Sequence, residues 1–104
     1  MPRMICVYSL HDGIDRKSWD RFLREVDIPL TFQLPSVTAY SVSPISTMIG
    51  DGPPVHYLEI VDFMSREALR QDMQSSLWRQ GMQAMLDNGM NQEVCYILDD
   101  EVKT

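Results

Sequence analysis

The chain is 104 residues long, 44% hydrophobic, and carries a formal net charge of -6. That length is one domain, residues 1–104, and the apolar share supports a folded core rather than wholesale disorder. The acidic balance repels phosphate backbones and anionic lipid surfaces, so neither nucleic acid nor a membrane is expected as a partner.

The first element is Arg3 to Leu10, short, apolar and rich in β-formers, with a turn signal at Asp12-Gly13. Its apolar run, Ile5 to Leu10, is too short for a secretory h-region with its cleavage site and far too short to span a bilayer, so a cytoplasmic protein is expected. Asp15 then offers a helix N-cap. Trp19, Phe22, Leu23 and Val26 follow at helical spacing and predict an amphipathic helix with one buried stripe. Pro29 marks its end or a break, and Leu30 to Leu34 is open to a second helical turn.

Val37 to Val42 reads as a strand, with Pro44 suggesting an edge or a bulge. Asp51-Gly52-Pro53-Pro54 is the strongest loop, and His56 to Phe63 is the next strand. Ser65 caps a helix through Ala68, Leu69 and Met73. Ser75 or Ser76 restarts it, with Leu77, Trp78, Met82, Met85 and Leu86 on one face. Met82 and Met85, with Met73 and Met90, read first as ordinary core filling. Asn88-Gly89 stops the helix, Glu93 to Asp99 is the last strand, and Asp100 to Thr104 a polar tail.

The order β-α-β-β-α-β predicts an α+β, ferredoxin-like domain: an antiparallel sheet covered on one face by its helices. The first and last strands are expected side by side in the centre of the sheet. Cys6 and Cys95 would then be neighbours, read as two small buried thiols rather than a disulfide framework. Alternation places apolar residues on both sheet faces: Ile5 and Val7 oppose Met4, Cys6 and Tyr8, and Leu58 and Ile60 oppose Tyr57, Val61 and Phe63. The helices cover one face only. The simplest cover for the other is a second copy of the sheet, giving a homodimeric α/β barrel; a different partner chain is the alternative.

No strong catalytic signature is present: no phosphate loop, no Cys-x-x-Cys, no nucleophile elbow, no His-Glu-x-x-His. His56 and Glu59 point to opposite faces of a strand, and His11 with Asp15 supplies only two ligands, so no metal and no cofactor is expected. The catalytic candidates are His11 and His56, as acids or bases near neutral pH, and Tyr8, as a hydrogen-bond donor to a developing oxyanion. The ligand-binding candidates are Tyr40, Trp19 and Trp78, the two indoles sandwiching a flat, mostly apolar molecule. Against this stands a plainer reading: Trp19 and Trp78 as core, Tyr8 and Tyr40 as structural groups each with one hydroxyl partner, and His56 as a solvated edge residue.

The run Met4-Ile5-Cys6-Val7-Tyr8-Ser9-Leu10, the helix Trp19-Asp20-Arg21-Phe22-Leu23 and the strand His56-Tyr57-Leu58-Glu59-Ile60 together resemble the REDY-like HapK family. Ser76-Leu77-Trp78 and Val94-Cys95-Tyr96 fit the same pattern, so the resemblance covers nearly the whole chain. It implies a dimeric α/β barrel and a role in prodiginine pigment pathways, handling a pyrrole or other flat heteroaromatic intermediate. It brings no catalytic residues with it. Three activities fit: a cofactor-independent cyclisation, condensation or hydrolysis, a non-catalytic binder that protects a reactive intermediate, and a cofactor-free monooxygenase.

Overall fold

A computed structural model describes residues 2–103. Four strands, β1 (Arg3–Leu10), β2 (Val37–Pro44), β3 (Tyr57–Phe63) and β4 (Met90–Ile97), form one antiparallel sheet in the order β2-β3-β1-β4. This is the ferredoxin-like arrangement. The last strand does pair with the first, yet it lies at an edge, because β3 takes the other side of β1 and fills the centre. β2 is the opposite edge, which is where Pro44, lacking an N–H, is tolerated. β4 also starts three residues earlier than the sequence suggests, directly after the helix stop.

The helices follow their capping signals. The Asp15 carboxylate accepts from the Ser18 N–H (3.0 Å) and opens α1 (Arg16–Phe22). Ser65 accepts from Ala68 and opens α3 (Arg66–Met73), and Ser75 accepts from Trp78 and opens α4 (Ser76–Asn88). Gly89 ends α4 at φ 130°, and a Cβ there would stand 2.7 Å from Ile14 Cδ1. Only glycine meets both demands. Among the described residues, no helix is long and apolar enough to cross a membrane.

The first helix departs from regularity. After α1 the chain makes a π-helical turn, Leu23–Asp27, in which the Ile28 N–H donates to the Leu23 carbonyl, and then continues as α2 (Ile28–Thr31). Pro29 therefore does not end the helix. The carbonyl its ring would crowd, four residues back, lies inside the widened turn. The extra residue also rotates the stripe. Val26, expected inside, is 41% exposed, and Asp27 takes its place at 5%.

The core divides into two clusters. One joins Tyr8, Leu10, Trp19, Phe22, Leu23, Tyr57, Met85 and Met90; the other joins Met4, Cys6, Val61, Phe63 and Leu69. In the first, Tyr8 stacks on Tyr57 (centroids 5.4 Å apart) and meets Trp19 edge-on (5.7 Å). In the register, Cys6 stands opposite Cys95, and the two are joined in a disulfide across β1 and β4. The expectation of two buried thiols is thus corrected twice: Cys6 is buried but Cys95, on the edge strand, is exposed, and neither is free.

Candidate functional site

A cavity enclosing about 560 Å³, its open mouth included, lies between the sheet and α2 and α4, where the two core clusters fail to close on each other. Its floor is the inward face of all four strands: Met4 and Cys6 from β1, Tyr40 from β2, Glu59, Val61 and Phe63 from β3, and Glu93 and Cys95 from β4. Leu77, Trp78, Met82 and Met85 of α4 roof it, and Asp27, Leu30 and Leu34 close one side.

Three carboxyl groups face this otherwise apolar space, and none of the residues lining it is Lys or Arg. Glu59 sits in the buried phase of β3 at 6% exposure, and its Oε1 has no hydrogen-bond partner. Burial, reinforced by the charges of Asp27 and Glu93, pushes its carboxyl well above the usual range; the nearby Tyr40 hydroxyl opposes this in part. Glu93 is pushed up to about 7, by burial and then by Asp27. Asp27 is raised by burial, against the pull of the Tyr40 hydroxyl, which donates to its Oδ2 at 2.5 Å. Burial and the same carboxylates raise the Tyr40 phenol, so it stays a donor. All three carboxyls of the pocket are thus raised, Glu93 to about 7, which puts its titration near neutrality.

Of the residues singled out in the sequence, Tyr40 and Trp78 line the cavity and the other four do not. Tyr8 is fully buried, its oxygen accepting from Trp19 Nε1 at 3.0 Å. Trp19, 1% exposed, is core on the far side of that bond. His11 is exposed in the β1–α1 turn, held by its backbone N–H on the Gly89 carbonyl (2.9 Å). His56 precedes β3, and its Nδ1 accepts from the Leu10 N–H at 2.9 Å, an architectural bond between two strand ends. The indoles therefore do not form a sandwich, because Trp19 and Trp78 belong to different core clusters. Glu59 and His56 face apart, as alternation requires.

A metal finds little here. Among the described residues, the ligand atoms of Cys6, Glu93 and Cys95 lie within 4.8 Å of one another, but the two sulfurs are bonded together and present no thiolate.

The REDY-like protein HapK family profile matches residues 2–102. The chain belongs to that family. Among solved structures it is similar to HapK from Hahella chejuensis, at 23% identity and a TM-score of 0.76, over 100% of this chain and 98% of that one. A dimeric ferredoxin-like protein from Thermobifida fusca superposes with a TM-score of 0.72 at 10% identity, covering 93% of this chain and 88% of that one. SnoaB from Streptomyces nogalater, a cofactor-independent oxygenase, gives 0.65 at 9% identity, covering 98% and 94%. A search of curated proteins returned no match. At these identities the structural neighbours establish the shared ferredoxin-like fold; the family rests on the profile.

Proposed function

We propose that this chain works as a cytoplasmic homodimer in prodiginine-type secondary metabolism, turning over a flat heteroaromatic intermediate, such as a pyrrole, in the Glu59 cavity without a cofactor. Membership of the HapK family supports a small biosynthetic protein, and the prodiginine setting is what the sequence resemblance implies. The observation that carries the chemistry is the unpartnered Oε1 of the buried Glu59 at the cavity. Cyclisation, condensation and hydrolysis share one need, a group that gives a proton and another that takes one. Glu59, its carboxyl raised by burial, is the donor. Glu93, at about 7, passes or takes the proton. Tyr40 orients a polar group of the substrate, and Trp78 offers its ring face. The acid–base role expected of His11 and His56 passes in this reading to the buried carboxyls, and the oxyanion donor expected of Tyr8 or Tyr40 is Tyr40, which lines the cavity.

The test is mass spectrometry of candidate bipyrrole-pathway intermediates incubated with the protein under air and under nitrogen, with no added cofactor. The expected result is a new product in both atmospheres. Glu59→Gln should slow its formation by about 10²- to 10⁴-fold, the usual worth of a positioned acid or base, while His11→Ala stays near wild type. A product in air alone would favour the cofactor-free oxygenase, the activity named for SnoaB. No product but slower decay of an intermediate would favour a protective binder.

The homodimer rests on the outer sheet face, where Ile5, Val7, Leu58 and Ile60 run into the exposed Val94, Tyr96 and Leu98, and on the dimeric ferredoxin-like neighbours. Light scattering should give twice the chain mass at micromolar concentration. Ile60→Asp, a charge in the middle of that face, should give a monomer; a wild-type monomer would sink the arrangement.

A further inference from the structure

Three acids around one cavity raise the question of what compensates them. From the sheet, Glu59 is faced by Tyr40 on β2 and Glu93 on β4, with the Cys6–Cys95 disulfide between; Asp27 faces it from the π-turn. The α4 roof brings no titratable group: Leu77, Trp78, Gly81, Met82 and Met85 line it. No cationic side chain lines the space. Tyr40 is committed to Asp27, which leaves Glu59 Oε1, nine-tenths buried, without a donor. A buried acceptor without a donor is costly, and a ligand that donates a hydrogen bond to it removes that cost.

We propose that the cavity selects a planar nitrogen cation, of the amidinium or iminium type, whose N–H groups donate to Glu59 and Glu93 while its ring lies against Trp78. This deepens the functional reading above by naming the charge and hydrogen-bonding class of that site's ligand. A planar ligand suits a site between the sheet and α4 with an indole, Trp78, in its wall. Positive charge follows from the walls: three carboxyls with no counter-ion in a low-dielectric pocket attract a cation and repel an anion, and an indole face adds cation–π attraction. A divalent metal ion fits less well. Among the described residues, the only cluster of three ligating side chains is Cys6, Glu93 and Cys95, with its sulfurs bonded to each other; Asp27, Glu59 and Glu93 do not converge on a single point. Binding carries a proton balance. The Glu59 O–H breaks, its proton goes to solvent, and the carboxylate formed pairs with the ligand's N–H groups.

Three planar probes of one size separate the possibilities: benzamidinium, neutral benzamide and anionic benzoate, titrated calorimetrically into the whole protein. At pH 8 benzamidinium should bind at least tenfold more tightly than benzamide, and benzoate should not bind measurably. Benzamidinium should bind tighter at pH 8 than at pH 6, with a heat that varies with buffer ionisation enthalpy because a proton is released. Glu59→Gln should erase the preference over benzamide, and Glu59→Asp, which keeps the charge, should retain part of it; thermal melts confirm that both variants fold. Equal or tighter binding of benzamide or benzoate to wild type overturns the proposal, as does tenfold selectivity that survives Glu59→Gln. Because the probes are not turned over, a failure of catalysis leaves this result standing, and the reverse holds too.

Discussion

From pH 5 to pH 8 the folded protein should lose stability, the reverse of what most carboxylate-rich proteins do over the acid limb. Glu93 has an unfolded value near 4.5 and a folded one of about 7. The native state therefore binds more protons than the unfolded state between those values, and stability falls as pH rises through them. The span corresponds to about 3 kcal/mol at most, at 1.36 kcal/mol per unit. Glu59 and Asp27, both raised, push in the same direction, and the net charge of -6 adds self-repulsion. Asp15 and Asp62, held low by Ser18 and Arg3, act the other way only in stronger acid. Urea midpoints at four pH values measure the slope, and Glu93→Gln should flatten it. A wild-type midpoint that climbs over this range would mean that the cavity carboxyls are solvated and ordinary.

The second large effect is expected at Trp19. Trp19→Ala removes a ring 1% exposed, packed on Phe22 at 5.0 Å and on Tyr8 and Tyr57. Such truncations cost about 3–5 kcal/mol, a large part of the stability of a domain this size. Trp19→Phe keeps most of the volume and loses the Nε1 bond to Tyr8, at about 1 kcal/mol. It should leave benzamidinium affinity unchanged, whereas Trp78→Ala should weaken it. Loss of probe binding in Trp19→Phe would show that the ligand sits on the other side of the core from the Glu59 cavity.

Much of the fold is legible from residue order. Alternation in Tyr57 to Phe63, the caps at Asp15, Ser65 and Ser75, and the Asn88-Gly89 stop place the strands and helices close to where they stand. The site is legible only in part, for reasons that differ by residue. Glu59 was open to view: it shares the buried phase of β3 with Tyr57, Val61 and Phe63, and a carboxyl in a core phase is a signal in itself. Histidine titrates near neutrality unperturbed, so residue type alone points to it, whereas burial confers that property on a carboxyl only after folding. Glu93 was obscured because β4 begins at Met90, and its register on β1 shifts between Ser9 and Leu10. Asp27 could not be found by a 3.6-residue period, since a π-turn breaks the period where it matters. The centre of the sheet and the bond between Cys6 and Cys95 depend on strand pairing, which no local pattern contains.

The widened turn at Leu23–Asp27 separates two properties that a regular helix would bind together. Trp19 and Phe22 before it, with Leu23 at its start, hold the helix to the sheet; Asp27 at its end, with Leu30 after it, furnishes the cavity. A chain one residue shorter here would keep the anchoring half in place and swing the acid away from Tyr40. The polarity of this pocket is thus adjustable by chain length as well as by substitution, through a segment that lies outside the sheet.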